Sequence, residues 1–375
     1  MAPLMRRLAP ATSRHPGIWD LANRILPGGP AETLLQRSIR PFADLDLTLG
    51  GEESSTAFGL YERTELVESV HASRYPSVLL PSGGWGITGG IALEEHGVID
   101  FGEYRDLRPG FRRNVAVNAL RQVRAPSLET AMSLRTFGET NHFHLVNDLI
   151  GGRLRLFEES GAPAHTPIVI SRALADFGPF RELRALPAVE GRQWVVQEPG
   201  TMLRCRHLLV ARTTAFSRAN VEYARSTLGV PSSRASDTDR IFVDRRSRGM
   251  RDVANREDLE EVCRRFGFSI IDPAGMPLSE QMERFSRAAF VVGVHGAGLT
   301  NIIFRRDAPL HLLEIFPGPP GPQAAQYFFV CRTTGFGYST VSGDSGEAYP
   351  WSGGFTLDPH RLETAIEAML SAATA

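Results

Sequence analysis

Short apolar runs alternate with amphipathic stretches along the second half of the chain. The apolar runs predict strands, and the stretches between them, in which apolar residues recur every three to four positions, predict helices. We expect strands at residues 241–244, 269–271, 290–294, 310–315 and 338–341, and helices at residues 255–266, 278–289, 299–305 and 322–334. Strands that alternate with helices indicate a parallel, doubly wound sheet with right-handed crossovers.

The first half of the chain is less regular. Residues 77–123 have an all-β pattern with glycine-rich turns, and the period becomes helical between residues 140 and 160. Beyond it we expect strands at residues 167–171, 194–197 and 203–211, and helices at residues 173–186 and 213–231. Residues 1–75 are poorly periodic and rich in Pro, Gly and Arg, with two short helices predicted at residues 31–38 and 64–72.

The length of the chain indicates more than one folding unit. Hydrophobic cores stop growing near about 250–300 residues, and this chain has 375. The segment SSRASDTD, residues 232–239, is a typical linker. We therefore divide the chain into an N-terminal extension (1–75), an N-terminal domain (76–231), a C-terminal domain (232–357) and a terminal helix (358–375) that packs back on the N-terminal domain.

Composition and charge are those of an ordinary globular protein, with 42% hydrophobic and 22% charged residues. A formal net charge of −1 gives no reason to expect nucleic acid or a membrane surface as a partner. No run of about 20 apolar residues predicts a transmembrane segment. No apolar stretch follows the basic start MAPLMRRLAP to make a signal peptide, so we expect a cytoplasmic protein.

The basic residues and the cysteines exclude several chemistries. All 41 basic residues are Arg, so lysine chemistry is excluded, and Arg has to supply the cationic contacts to phosphate. Cys205, Cys263 and Cys331 are scattered, which suggests neither a disulfide framework nor a zinc site. Because the sequence has no HExxH motif and no acidic cluster, we expect no catalytic metal.

The turn HGAG, residues 295–298, joins a predicted strand to a helix predicted from Leu299. Free N–H groups and the positive dipole at a helix N-terminus favour an anion, and glycine lets the backbone approach a phosphate closely. We therefore predict a diphosphate site at residues 296–300, with a tight turn that binds nothing as the alternative. The glycines do not fit G-x-G-x-x-G, which disfavours NAD.

Four arginines follow the first strand of the C-terminal domain: Arg245, Arg246, Arg248 and Arg251. We call residues 245–251 the arginine turn and residues 295–298 the glycine turn, and both lie at the same predicted sheet edge. Guanidinium groups there could clamp phosphates through paired hydrogen bonds, and a solvated basic loop is the alternative. The shared sheet edge favours at least one arginine that binds the ligand.

Glu314 stands near the end of an otherwise apolar predicted strand. A buried carboxylate without a partner is costly, so this one needs hydrogen-bond donors or a cation. The hydroxyl pair of a sugar ring, such as a ribose, and a neighbouring arginine are equally good candidates.

The helical stretch at residues 140–160 has a polar stripe with His144, Asp148 and Arg155 opposite its apolar face. A histidine and an aspartate one turn apart could serve an active site. An ordinary surface pair is the alternative, and spacing alone favours it.

Three segments resemble the glycosyltransferase family 61 domain. They are VVGVHGAGLTNIIF followed by LLEIFP (within 291–317), NHFHLVND (141–148), similar to N-[YF]-x-H-F-L-x-D, and DRRSRGMRDVANREDL (244–259), similar to S-R-R-x(n)-R-x-x-x-N. The segments keep the family's order and cover roughly residues 75–345. The departures are Asp244 for the usual Ser, His142 and Asn147 for more typical aromatic and aliphatic residues, and Arg305-Arg306 at the helix end.

The resemblance implies a GT-B-like α/β fold, in which two Rossmann-like domains face a cleft and the C-terminal one, a doubly wound parallel sheet, binds a nucleotide-sugar. It also implies inversion at the anomeric carbon without an essential metal. The general base should come from the first domain, where His144 and Asp148 are the candidates, Asp148 orienting or charging His144. The expected donor-binding residues are Arg245, Arg251, His295, Gly296, Ala297, Gly298, Leu299, Thr300, Asn301 and Glu314.

The resemblance and the residues together predict an inverting, metal-independent glycosyltransferase, a hexosyl- or pentosyltransferase that needs no cofactor beyond its donor substrate. The donor would be a nucleotide-diphosphate sugar, with UDP favoured. The acceptor would be a hydroxyl of a glycan or lipid-linked precursor in bacterial polysaccharide biosynthesis, so we expect the enzyme in the cytoplasm, including the inner face of the membrane. The alternatives are a nucleotide-sugar epimerase and a non-catalytic nucleotide-binding protein on the same fold.

Overall fold

The computed structural model of the protein has two β-sheets with helices packed on them. It describes residues 32–39, 49–50, 68–81, 86–88, 91–94, 97–100, 125–136, 138–213, 217–245, 250–320, 324–345 and 353–372. In that part of the chain the first sheet contains nine strands and the second contains six. The protein is therefore a mixed α/β protein with parallel strands in both sheets, as the sequence predicted.

The first sheet is antiparallel at one side and parallel at the other. Its strands run in the order β6-β5-β4-β3-β10-β7-β8-β9, and β1 also pairs with β3. Strands β10, β7, β8 and β9 are mutually parallel, whereas β3 runs antiparallel to β10. The bounds are β1 Glu32–Ile39, β3 Glu68–Pro81, β4 Gly86–Thr88, β5 Ile91–Glu94, β6 Gly97–Asp100, β7 Ser127–Ser133, β8 Ile168–Ser171, β9 Trp194–Gln197 and β10 Met202–Arg212.

The second sheet is parallel throughout, in the order β12-β11-β13-β14-β15-β2. Its strands are β2 Leu49–Gly50, β11 Asp239–Val243, β12 Ser269–Ile271, β13 Ala288–Val294, β14 His311–Phe316 and β15 Gly337–Ser342. The chain starts at β11, moves outwards to β12 and then returns past β11 to β13. The direction of winding therefore reverses between β11 and β13, and in open α/β sheets ligands bind outside the carboxyl ends of strands at such a switch point.

Nine helices connect these strands in the described part of the chain. Helix α1 has a π-helical segment, His144–Leu154, that continues as an α-helical turn, Arg155–Glu159. The others are α2 Arg172–Asp176, α3 Gly178–Arg184, α4 Pro187–Glu190, α5 Arg218–Thr227, α6 Arg256–Arg265, α7 Leu278–Arg287, α8 Gln326–Thr334 and α9 Pro359–Ala372. Two 3₁₀ helices, Pro273–Gly275 and Ala297–Phe304, follow β12 and β13.

Helix α1 lies in the centre of the molecule, buried on nearly all sides. Its two adjacent glycines permit close contact with the start of α5 and with Thr213, the residue after β10. A Cβ on Gly151 would lie 2.5 Å from the backbone O of Asn220, and a Cβ on Gly152 would lie 2.3 Å from Cγ2 of Thr213. A larger residue at Gly151 would have to displace the start of α5, and one at Gly152 would have to displace Thr213.

The two sheets share one large hydrophobic core, to which α1 contributes Leu149 and the second half contributes Ile302 and Phe328. Arg225 of α5 reinforces the junction, since its Nε donates to the backbone O of Ile303 at 2.7 Å and its Nη2 to that of Arg305 at 2.6 Å. The first half of the chain therefore holds the end of the 3₁₀ helix Ala297–Phe304 in place.

Two helices predicted near the N-terminus are wrong. Residues 32–38 of the first lie in β1, and residues 68–72 of the second lie in β3; residues 64–67 are outside the described part of the chain. Strand β1 pairs with β3 over Glu32–Ile39. The apolar pattern of ETLLQRSI fits either type of element, and the strand is selected by pairing with residues 29 to 42 positions further along the chain.

The terminal helix α9 also departs from its prediction. It was expected to pack on the N-terminal domain, but its buried face, Leu362, Ile366 and Met369, packs against the second sheet and α6.

Another departure is the helix predicted at residues 173–186, which is broken into α2 and α3 at Phe177, where the backbone is extended. The linker at residues 232–239 is tied down, since Ser232 Oγ donates to Asp307 at 2.7 Å.

The strands predicted in the second half are confirmed within a few residues, as is helix formation at residues 278–287. The all-β interpretation of residues 77–123 is confirmed for β3 to β6, and residues 101–124 lie outside the described part of the chain.

Candidate active-site cleft

A cleft of about 580 Å³ lies at the switch point of the second sheet and is closed on its other side by the first half of the chain. The first half contributes Thr140, Asn141, His142, Phe177, Gly178, Pro179 and Glu182. The second half contributes Val243, Asp244, Arg245, Arg251, the segment Asp272 to Pro277, Gln281, Val294 and Gly296, Ala297 and Gly298. Both halves of the chain therefore contribute side chains to one cleft.

The glycine turn forms the floor of the cleft. Strand β13 is extended by His295, whose N–H donates to the backbone O of Ile315 at 2.8 Å. The next element is a 3₁₀ helix that starts at Ala297, and not an α-helix that starts at Leu299 as predicted. The first N–H groups of a helix have no partner within it, so this end presents donors to the cleft. Leu299, with Thr300 and Asn301, is fully buried beneath.

Close approach of an arginine explains one of the glycines. A Cβ on Gly296 would lie 2.3 Å from Nη1 of Arg245, so any side chain there would displace the guanidinium. The carbonyl of Gly296 accepts a hydrogen bond from the Tyr327 hydroxyl at 2.6 Å, which fixes the turn from below. Burial raises the pKa of Tyr327, so it stays a donor. Sequence reasoning missed Tyr327, because nothing in the helical pattern of residues 322–334 marks it.

Both described members of the arginine turn line the cleft. Arg245 is held by its Nε, which donates to the backbone O of Met250 at 3.3 Å. Arg251 adopts a left-handed backbone conformation, with φ of 59°, and its N–H donates to Gly353. Arg246 and Arg248 lie outside the described residues. The structure therefore brings two of the four arginines to the same cleft as the glycine turn.

His295 and Glu314 form a buried pair beneath the floor. His295 Nδ1 lies 2.5 Å from Glu314 Oε1, and the Tyr338 hydroxyl donates to Glu314 Oε2 at 2.6 Å. The imidazole stacks on Phe316 with ring centroids 5.1 Å apart. Burial and the negative charge of Glu314 raise the pKa of Tyr338, which keeps its hydroxyl protonated.

Glu314 has two partners in this structure that the sequence did not suggest. Glu314 is 0% exposed and does not line the cleft, and its two carboxylate oxygens are used by His295 and Tyr338. The reason is the register of β13 and β14, which places Glu314 opposite Gly293 and so brings its side chain under the turn that follows Val294.

The pair on helix α1 is more accessible. His144 Nδ1 lies 2.6 Å from Asp148 Oδ2, and the two side chains are 34% and 15% exposed. The His144 ring packs against Gly138, where a Cβ would lie 2.9 Å from its Cδ2. His144 lies just beyond Thr140, Asn141 and His142, which line the cleft, and does not line it itself.

Arg155 does not join this polar stripe, contrary to expectation. Its guanidinium is buried and donates to Asn220 Oδ1 at 2.8 Å. The predicted stripe assumed 3.6 residues per turn, whereas the π-helical turns of α1 are wider and rotate Arg155 to another side.

His142 is a cleft residue that sequence reasoning did not propose. Its Nε2 lies 2.7 Å from Asn301 Oδ1, and Asn301 Nδ2 donates to Gln281 Oε1 at 2.7 Å. These bonds assign the Nε2–H tautomer to His142, since the Asn301 oxygen must accept. Burial lowers the pKa of His142, which keeps the ring neutral. The sequence did contain a signal for His142, because a histidine stands there in place of the more typical aromatic residue of the family pattern.

Two further features are absent from the described residues. No group of three or more His, Cys, Asp or Glu side chains that could hold a metal ion occurs among them. None of the helices among them is long and apolar enough to cross a membrane.

Comparison with known proteins finds one matching family. The model of the family described as Glycosyltransferase 61 matches residues 93–309, more than half of the chain. No curated protein matches the chain. Among solved structures, the metal-soaked Flv1 flavodiiron core from Synechocystis sp. PCC6803 is 10% identical and aligns over 90% of this chain and 94% of its own, with a TM-score of 0.24. A score that low carries no argument about fold or function.

Proposed function

The chain belongs to the glycosyltransferase 61 family and is a glycosyltransferase, and from this premise we propose that it is an inverting, metal-independent enzyme that uses a nucleotide-diphosphate sugar. The donor occupies the cleft at the switch point between β11 and β13, on the second of two Rossmann-like halves in a GT-B-like arrangement. The acceptor is a hydroxyl of a glycan or of a lipid-linked precursor.

One observation carries this proposal: the Arg245 guanidinium lies against Gly296, at the amino end of the 3₁₀ helix and in the cleft. A sugar leaves a nucleotide donor as its diphosphate, which gains negative charge as the bond to the anomeric carbon breaks. Backbone N–H groups and a guanidinium that are already in position stabilise that charge without reorganisation. Arg251 adds a second cation at the same site.

His295 and Glu314 support the site indirectly in this proposal. Glu314 fixes the ring of His295 through Nδ1, and the ring shapes the turn that carries the N–H groups of Ala297 and Gly298. Leu299, Thr300 and Asn301 act as the buried base of that turn. Of the residues expected to contact the donor directly, we keep Arg245, Arg251 and the turn residues at 296–298.

The general base in this proposal is His144. The hydrogen bond to Asp148 places the proton on Nδ1 and leaves Nε2 as the basic nitrogen. The acceptor oxygen forms its bond to the anomeric carbon as the bond from that carbon to the β-phosphate oxygen breaks. The electron pair leaves with the nucleoside diphosphate, and the acceptor proton passes to His144 Nε2. Asp148 stabilises the imidazolium that results.

A nucleotide screen tests the donor site. Thermal shifts with UDP, GDP, CMP and ADP in the presence of EDTA should identify a nucleotide that stabilises the protein. Arg245→Ala should then lower the affinity for that nucleotide by about tenfold to a hundredfold, which is the expected effect of losing one charged hydrogen bond. Arg264→Ala, which removes a surface arginine of α6, is the matched control and should leave the affinity unchanged.

The screen can also contradict the proposal. Stabilisation by none of the three diphosphates, or by CMP alone, would contradict the proposed diphosphate site. Binding that disappears in EDTA would show that a metal is required. Nucleotide binding without transfer of a sugar to any glycan acceptor would favour the epimerase or the non-catalytic alternative.

A further inference from the structure

We propose that Arg256 neutralises Asp244 and so allows the cleft to accept the diphosphate of the donor, a positioning role that rests on the proposed function. Arg256 is not among the residues that line the cleft, and it lies behind the lining at the start of helix α6. Its Nε lies 3.3 Å from Asp244 Oδ1, and its Nη2 donates to the backbone O of Arg245 at 3.3 Å. One guanidinium therefore contacts both a cleft carboxylate and the backbone of the arginine that lies against the glycine turn.

The charges that line the cleft do not favour a diphosphate by themselves. Among the described residues, the carboxylates of Glu182, Asp244 and Asp272 line it, together with the guanidinium groups of Arg245 and Arg251. Carboxylates repel a diphosphate, and guanidinium groups bind it. A cation that neutralises one of the three carboxylates from outside the lining brings the formal charges around the cleft into balance.

Asp244 is the carboxylate that lies beside the proposed phosphate site. It follows Val243, whose Cγ1 would lie 3.2 Å from a Cβ on Gly298, and it precedes Arg245, whose Nη1 would lie 2.3 Å from a Cβ on Gly296. Its side chain is 3% exposed, so solvent and salt screen its charge little. Without Arg256 this carboxylate would repel the diphosphate and compete with it for the guanidinium groups of the arginine turn.

The position of Arg256 is not explained by its own helix. The N-terminus of a helix favours anions and disfavours a cation, and the two residues that follow Arg256 are acidic, as that preference requires. The start of α6 is fixed by Asn255, whose Nδ2 donates to the backbone O of Leu357 at 2.9 Å and whose Oδ1 accepts from the N–H of Leu357 at 3.2 Å. The pair with Asp244 gives a reason for a cation at this place.

The test compares the affinities for UDP and for uridine, which lacks the diphosphate. Isothermal titration in EDTA measures UDP, and displacement of UDP measures uridine. Arg256→Ala should lower the affinity for UDP by about tenfold to a hundredfold and leave that for uridine within about twofold of wild type. Arg264→Ala, which removes an exposed arginine from the same helix, is the matched control and should keep the wild-type ratio of the two affinities. A ratio measured within one variant does not depend on how much of that variant is folded.

Two further variants separate the charge of Arg256 from its shape. Arg256→Lys keeps the positive charge and should keep the ratio within about threefold of wild type. The double variant Asp244→Asn/Arg256→Ala removes both charges of the pair and should return the ratio to within about threefold of wild type, because without the carboxylate no cation is needed. A purely structural loss at Arg256 would not be reversed by a change at Asp244.

Three outcomes would overturn the inference. If wild type binds none of UDP, GDP and ADP, the proposed function fails and the role of Arg256 fails with it. If UDP binds but Arg256→Ala keeps the wild-type ratio, only the role of Arg256 fails. If Arg256→Ala loses the preference for UDP and the double variant does not regain it, Arg256 supports the shape of the arginine turn and does not act by neutralising Asp244.

Discussion

Two histidine–carboxylate pairs in this protein have nearly the same local geometry and opposite surroundings. His144 and Asp148 are one helical turn apart on α1, with a distance of 2.6 Å and side-chain exposures of 34% and 15%. His295 and Glu314 lie on neighbouring strands, with a distance of 2.5 Å and exposures of 8% and 0%. In both pairs the carboxylate holds Nδ1, so the environment, and not the pair itself, decides which can exchange a proton with a substrate.

The difference in exposure suits the two pairs to different roles. The accessible histidine beside the cleft suits a general base, because a substrate hydroxyl can reach it and water can take up its proton. The buried histidine is clamped by a carboxylate, a stacked Phe316 and the edge of Tyr327, which suits a support for the glycine turn. Variants of the accessible pair should therefore lose turnover, whereas variants of the buried pair should lose folding stability.

The largest effect is expected from the accessible pair. His144→Ala should lower kcat by about 10²-fold to 10⁴-fold, the usual contribution of a general base, and leave the free energy of unfolding within about 1 kcal/mol of wild type. Steady-state transfer kinetics and urea unfolding measure the two quantities. His360→Ala is the matched control, because His360 lies 3.9 Å from Glu363 on α9, far along the chain and outside the cleft lining, and should leave kcat unchanged. Full turnover by His144→Ala would contradict the assignment of His144 as the general base.

The buried pair should respond in the opposite way. Glu314→Ala leaves the Tyr338 hydroxyl and His295 Nδ1 without their shared acceptor in a closed environment, and should lower the free energy of unfolding by about 3–5 kcal/mol. Asp148→Ala, at the more accessible pair, should cost about 1 kcal/mol or less. Urea unfolding of both variants measures the difference. Equal losses of unfolding free energy in the two variants would contradict the distinction between a buried, structural pair and an accessible one.

A histidine that lacks a carboxylate sharpens the comparison. Burial lowers the pKa of His311 to about 4, and its Nε2 meets only the Ser339 hydroxyl among the described contacts, at 3.0 Å. Below its unfolded pKa of about 6.5 the unfolded chain takes up this proton and the folded protein does not. Stability should fall as the pH drops from about 6.5 to about 4, by up to roughly 3 kcal/mol.

The measurement is urea unfolding at several pH values in that window, for wild type and for His311→Gln. The variant should lose less stability than wild type as the pH falls. An identical pH dependence in the two proteins would show that His311 is not the group responsible.

The smallest effect is expected at His142, whose bond to Asn301 joins the two halves at the cleft. A double-mutant cycle with His142→Phe and Asn301→Ala should give a coupling energy of about 0.5–1.5 kcal/mol, the net value of one hydrogen bond. The free energy of unfolding of the four proteins measures it. A coupling energy of zero would mean that the bond does not hold the cleft together.

Much of the second half could be predicted from sequence because its strands are short apolar runs between amphipathic helices. That pattern reflects strands buried on both faces, and it places the glycine turn and Arg245 at one edge of a sheet without further information. The pairing of His144 with Asp148 was also predictable, since residues four apart on a helix are neighbours.

The remaining features depend on long-range contacts. The partners of Glu314 follow from the register between β13 and β14, which no local pattern encodes. Strand β1 is held by its pairing with β3, and β3 pairs in turn with β4 and β10, so neither element follows from its local pattern. The π-helical turns of α1, in which two glycines lie against Asn220 and Thr213, separate Arg155 from His144. For the same reason the pattern could not separate the residues that line the cleft, 296–298, from those buried beneath them, 299–301.

The central claim is that the amino end of the 3₁₀ helix Ala297–Phe304 and the arginine turn hold a diphosphate at the switch point of the second sheet. A crystal structure of the protein with UDP tests it most directly. The account predicts the diphosphate within hydrogen-bond distance of the N–H groups of Ala297 and Gly298 and of the Arg245 guanidinium, with no metal ion between it and a carboxylate. A diphosphate bound away from this turn, or coordinated through a divalent ion, would contradict it.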